Sequence, residues 1–142
     1  MKAIVLTEEG KIYQSEISTN LHQIIRKYIS RNYQLRHPST SLPFSIVLIC
    51  SPTRTTKRVN PIIPILFPDI KISIKGDVIM CKEGTDENNA YSFLPFTDEE
   101  IETIRLYFLK SLAKMKDEIE QERQLYQSMR KDSKDNNVEQ ES

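Results

Sequence analysis

Few residues in this chain of 142 are of the types from which an active site is built: two histidines, two cysteines and two knots of carboxylate. His22 falls in the first turn of an expected helix, where an exposed or capping role is expected, and His37 precedes Pro38 in a linker and is expected to be solvated. Cys50 and Cys81 each close an apolar run. A thiol becomes a nucleophile only where a nearby cation or helix N-terminus lowers its pKa. Arg54 is near Cys50 in sequence, but apolar surroundings predict buried, inert thiols. Two cysteines cannot build a disulfide framework, and no second Cys/His pair completes a zinc site. Asp86-Glu87 reads as loop and Asp98-Glu99-Glu100 as a helix first turn, so neither is an acid/base pair or a metal cage. The chain has no glycine-rich phosphate loop, Walker lysine, GxSxG elbow or CxxC pair. The expectation is a protein that is not an enzyme, with no catalytic residue, no metal and no cofactor.

Charge is more informative than catalytic chemistry. The 20 basic and 20 acidic residues cancel, but their distribution is segregated. Residues 17–68 contain no Asp or Glu, yet carry Arg26, Lys27, Arg31, Arg36, Arg54, Lys57 and Arg58. From Asp69 onward 17 acids face 11 bases. Because charges more than about 8–10 Å apart are screened at physiological salt, a partner senses the local block and not the sum. The block therefore either faces an anionic surface or pairs with the acidic C-terminal half. These seven residues are the candidate partner- or anion-binding set.

The elements that must position them follow from periodicity. Lys2–Thr7 and Lys11–Ile17 read as two strands, with Glu8-Glu9-Gly10 as the hairpin loop and Gly10 free to take positive φ. Asn20, with Gln23 three residues on, opens a capping box. Leu21, Ile24, Ile25, Tyr28 and Ile29 then line one face of a short amphipathic helix whose other face carries Arg26, Lys27 and Arg31. Phe44–Cys50 is nearly all apolar and predicts a central strand buried on both faces. Ser51–Asn60 reads as a cationic loop. Pro61, Pro64 and Pro68 predict an extended or edge segment. Ile70, Ile72 and Ile74 alternate with polar residues as in a half-buried strand. Val78–Lys82 reads as a further strand, Glu83–Ala90 as a polar loop and Tyr91–Phe93 as the run after it.

Thr97 with Glu100 forms a second capping box, and Phe96 is placed to staple onto Ile101. The seam Ile101, Ile104, Phe108, Leu112, Met115, Ile119 continues, after Glu122, with Tyr126 and Met129. A helix from about 98 to 130 is roughly 50 Å long at 1.5 Å per residue, more than a globule of this size can cover. The expected fold is α+β: a small, mainly antiparallel sheet, one short amphipathic helix and a long C-terminal helix that projects from the globule. The expected layout is a core over 1–96, the long helix over 97–131 with its first half docked and its second half projecting, and a disordered tail over 132–142. Met115, Ile119, Tyr126 and Met129 are the candidate helix–helix contacts, through a coiled coil with a second copy or another partner. No run reaches the roughly 18 apolar residues of a membrane span, and the start is too short in apolar residues for a secretory leader. A soluble, intracellular chain with no membrane partner is expected.

The order of Met1–Leu6, Phe44–Cys50, Ile74–Met80 and Phe96–Phe108 resembles a small family of uncharacterised proteins, known as a domain of unknown function, carried by bacterial phages and conjugative elements. Its members open on a MKAIVV-like strand and close on an LTDEEIE-like helix. This chain departs from it in the proline-rich Asn60–Pro68 stretch and the long last helix. The resemblance implies a mobile-element accessory protein in the cytoplasm of a bacterial host. It supplies no catalytic residues. Such proteins often occlude a host protein, nucleic-acid-binding defence nucleases among them, so the leading expectation is an anti-CRISPR-like inhibitor that binds a host protein. The alternative is a nucleic-acid-binding regulator using the basic block 26–58, with Tyr28 and Tyr33 as stacking residues.

Overall fold

The computed structural model describes residues 2–16, 21–52 and 56–141, with side chains in the last helix described as far as 129. Arg54 and Asn20 lie outside what is described, and so do Ser142 and the side chains of the expected tail from 132 onward. The architecture is α+β. Strands β1 (Lys2–Leu6), β2 (Ile12–Glu16), β3 (Gln34–Arg36), β4 (Ile46–Cys50), β5 (Val78–Thr85) and β6 (Tyr91–Leu94) form one antiparallel sheet. Three helices accompany them: α1 (Leu21–Tyr28), α2 (Ile63–Leu66) and α3 (Asp98–Glu141). The sheet order is β2-β1-β5-β4-β3. Strand β5 is long enough to serve two neighbours on one side, pairing β1 through Val78–Met80 and β6 through Lys82–Thr85.

Successive side chains on a strand point to opposite faces, and here both faces are apolar because both are covered. Ala3, Val5, Val47, Ile49, Ile79 and Cys81 face Ile25 and Ile29 of the α1 segment. Ile4, Leu6, Leu48, Val78 and Met80 face the other way, onto Leu66 and Phe67 of the α2 segment and Ile101, Ile104 and Phe108 of α3. All five residues of β4 are buried, as its unbroken apolar run requires. The β1–β2 hairpin turns at Gly10 with φ +90°.

At the start of α3 the Thr97 amide donates to Glu100 Oε1 at 2.9 Å, and the Glu100 amide donates to Thr97 Oγ1 at 3.2 Å. Phe96 and Ile101 meet in the same core cluster. This reciprocal cap satisfies two of the helix's orphan amides. Thr97→Ala is expected to cost about 1 kcal/mol, measured as a lower urea midpoint with an unchanged m value.

Three expectations are corrected. The proline-rich stretch is not extended: it contains α2, whose Pro64 sits in the first turn, where a missing amide costs nothing. Ile70–Ile74 is not a strand. Only Ile74 is buried, Ile72 is 47% exposed, and the backbone there pairs with the 58–60 loop (Asn60 N to Ile74 O, Gly76 N to Arg58 O) instead of with the sheet. The linker after α1 carries β3, three residues recruited as an edge by β4.

That 58–60 loop is anchored by Asn60, which is fully buried. Its Nδ2 donates to Leu6 O and Gly76 O, each at 2.9 Å, and its Oδ1 accepts from the Ile62 amide at 3.0 Å. One amide thus joins the end of β1, the turn before β5 and the approach to α2.

The chain divides into two units, Met1–Phe108 and Leu109–Ser142. The second is helical, and its large apolar side chains from Leu112 to Met129 are exposed, apart from half-buried Met115.

Candidate functional site

The amphipathic register of α1 fixes where its cations go. With Ile25 and Ile29 buried and Leu21, Ile24 and Tyr28 half-buried against the sheet, Arg26 and Lys27 stand on the outer face, and Arg31, expected on the helix, follows beyond its end at Tyr28. All three are exposed. Lys27 Nζ lies 5.2 Å from the centre of the Tyr28 ring. Arg26 and Arg31 border a depression of about 180 Å³ that they share with His22, Ile25, Ser30 and Tyr33. Lys57 joins this group from the far loop, its Nζ donating to Ile29 O at 3.4 Å and to Ser51 Oγ at 3.3 Å. An ammonium at a helix C-terminal end meets the negative pole of the helix dipole.

The structure does not bring the whole block together. Arg36 pairs with Leu48 across the β3–β4 ladder, and residues directly opposite each other share a face. Arg36 therefore points to the α2 and α3 side of the sheet, away from α1. There it donates to Gln34 Oε1 at 3.2 Å and lines a small recess with Cys50 and Lys75. Arg58 lies toward the first hairpin, its backbone amide donating to Glu8 Oε2 at 3.1 Å. The candidate cationic site thus reduces to Arg26, Lys27 and Arg31, with Lys57 at the end of α1.

Those described carboxylates of the acidic half that are held in ion pairs take cations other than Arg26, Lys27 and Arg31. The carboxylates of α3 take other cations: Asp98 pairs with Lys2 at 3.7 Å, Glu100 with Lys82 at 2.8 Å, Glu102 with Arg105 and Glu120 with Arg123. Among the described residues, no carboxylate lies within ion-pair distance of Arg26, Lys27, Arg31, Arg36 or Arg58. Burial works to raise the Glu100 pKa, but hydrogen bonds from Lys82 and Thr97 outweigh it and hold the carboxyl below its ordinary value.

Both thiols are buried. Burial raises the pKa of Cys50 against the opposing charge of Arg36. Burial, with Glu83 adding to it, pushes Cys81 up to about 12. A nucleophilic cysteine needs the opposite shift.

A second cluster was not foreseen. His37 is not simply solvated: its Nε2 lies 2.9 Å from Glu83 Oε2, which also accepts from Tyr91 Oη at 2.7 Å. Partial burial and that hydrogen bond push the Tyr91 phenol up to about 12. His37 and Glu83 edge an open cleft of about 500 Å³ lined by Pro38, Ser39, Thr40, Leu42, Pro43 and Phe44. No local signal in the sequence could have found this cluster, since its members come from three segments joined only by the β3–β4–β5–β6 pairing. Among the described residues, no three His, Cys, Asp or Glu side chains converge as a metal site requires, and no helix is long and apolar enough to cross a membrane. Asp86 is occupied locally, accepting from the amides of Asn88 and Ala90 at 2.9 and 3.0 Å.

Comparison with family models, with curated proteins and with solved structures finds no match to this chain.

Proposed function

We propose that this chain is a non-enzymatic accessory protein of a phage or mobile element, acting in the cytoplasm of a bacterial host, where it binds a host protein through the outer face of α1 and occludes it. A nucleic-acid-binding defence nuclease, anti-CRISPR fashion, is the kind of target the resemblance favours, with the cationic α1 face meeting an acidic patch of that protein and not the basic surface it presents to nucleic acid. The observation that carries the proposal is the exposed Arg26–Lys27–Arg31 group, which has no carboxylate partner among the described residues. Uncompensated like charges repel within the monomer, and an acidic protein surface would relieve them. The buried, protonated thiols agree with a binding role.

Direct nucleic-acid binding is the second reading, favoured by the same cations beside Tyr33. It ranks lower because both stacking candidates are engaged in packing. Tyr28 sits against the core cluster under α1, and Tyr33 meets the Phe93 ring edge-on at 6.1 Å.

The test is purification of the tagged full-length protein from a bacterial host at low and moderate salt, followed by reconstitution with the co-purified protein. A complex of defined stoichiometry that weakens with salt and survives nuclease treatment supports the proposal. Elution alone at every salt concentration overturns it. Material retained only through nucleic acid, with a log–log salt slope near −0.9 per phosphate contact on duplex DNA, would instead establish the second reading.

A further inference from the structure

The exposed apolar stripe on the unit Leu109–Ser142 has a register that specifies its own partner. Leu112, Met115, Ile119, Glu122, Tyr126 and Met129 step by 3, 4, 3, 4 and 3. That is the 3.5-residue spacing of a left-handed two-stranded coiled coil, with Leu112, Ile119 and Tyr126 at a and Met115, Glu122 and Met129 at d. These positions are open: Ile119 is 53% exposed, and Tyr126 and Met129 are each 65% exposed.

The flanking charges choose the orientation. The e positions are Lys116 and Arg123, and the charged g position is Glu118. In a parallel pair, g of one helix meets e of the next heptad on the other, so Glu118 of each copy meets Arg123 of the other. In an antiparallel pair e meets e and g meets g, which sets cation against cation and Glu118 against Glu118. Within one chain Arg123 is held only loosely, 3.9 Å from Glu120, with both side chains more than half exposed. Such surface pairs contribute little, so Arg123 is available to Glu118.

We propose that this helix is the interface with a second copy of the same chain, forming a short, parallel, in-register coiled coil kept weak by Glu122. The seam covers only about two and a half heptads, where stable coils usually run three or four. Glu122 adds a layer in which two carboxylates face each other in place of two apolar side chains. The result is an assembly that forms as local concentration rises and gives each particle two α1 faces. Bivalency of this kind strengthens attachment to a repeated or dimeric target without new contacts.

The experiment uses purified full-length protein alone, so its outcome is independent of whether the host partner has been identified. Sedimentation equilibrium up to about 1 mM, the range of weak association, is expected to show reversible dimers. Glu122→Leu is expected to tighten dimerisation at least about tenfold, and Ile119→Glu to abolish it. Under mild oxidation Met115→Cys, at an inner position, should cross-link into covalent dimers far faster than Lys114→Cys, at an outer one, with wild type correcting for the buried native thiols. Failure of Glu122→Leu to self-associate overturns the proposal. A dimer that cross-links equally at both positions, or that Ile119→Glu leaves intact, overturns it as well.

Discussion

Asn60→Leu is expected to destabilise the fold by about 4 kcal/mol, more than any surface change in this chain. The substitution keeps the branching at Cγ, removes the polar chemistry and puts two bulkier methyl groups in a fully buried site. Leu6 O and Gly76 O each lose a donor, and the Ile62 amide loses its acceptor, in a site that admits no solvent. Each buried group left without its partner costs about 1–3 kcal/mol, so three of them cannot be offset by the apolar contacts a leucine gains. For a domain of this size the loss corresponds to a fall in Tm of roughly 10–15 °C. Thermal and urea unfolding would both show it. The exposed Asn32→Leu serves as the comparison and should lie within about 0.5 kcal/mol of wild type. An Asn60→Leu protein as stable as wild type would mean that the 58–60 loop is not tied to β1 as described.

Why Asn60 escapes a reading of the sequence is instructive. Nothing marks it among the chain's other polar loop residues, because its importance lies in where Leu6, Gly76 and Ile62 meet, across 54 residues of sequence. Features encoded locally were legible. The Thr97–Glu100 box, the α1 face and the hairpin at Gly10 all depend on residues within one or two turns of each other. The apolar run of β4 also announced its two-sided burial, since no other environment tolerates five such residues in extension. Features decided by competition between segments were not legible. Ile70, Ile72 and Ile74 alternate as a strand should, but β5 already has β4 on one edge and β1 and β6 on the other. The strand that follows them in sequence therefore had no free edge to offer. Gln34–Arg36 lacks an apolar pattern and became a strand because β4 still had a free edge. The same pairing sends Arg36 to the far face, so a block of cations continuous in sequence is divided in space. Counting charges could locate the block, whereas only the register could show which of its members face the same way.

That division sharpens the second large effect. Arg26→Glu combined with Arg31→Glu is expected to weaken the complex with the co-purified host protein by at least about 100-fold. The two guanidinium groups border one depression and, among the described residues, have no carboxylate to release. Reversal therefore turns two favourable long-range attractions into repulsions without breaking an ion pair among the described residues. Steering charges act mainly on the encounter, so most of the loss should appear in the association rate, and added salt should shrink the gap between variant and wild type. The fold should tolerate the change. Arg26 lies in the last turn of α1, where an acid opposes the helix dipole by a few tenths of a kcal/mol, and Arg31 lies beyond the helix end. Arg26→Gln with Arg31→Gln avoids that small cost and should give a smaller loss, because attraction is removed and no repulsion is added. Lys110→Glu with Lys114→Glu changes net charge equally on exposed residues outside the 17–68 block. If the complex depends on overall charge, the two reversals will weaken it alike; if it depends on the α1 face, only the arginine pair will. Binding unaffected by the arginine pair would remove α1 from the interface and leave the proposed occlusion without a docking surface.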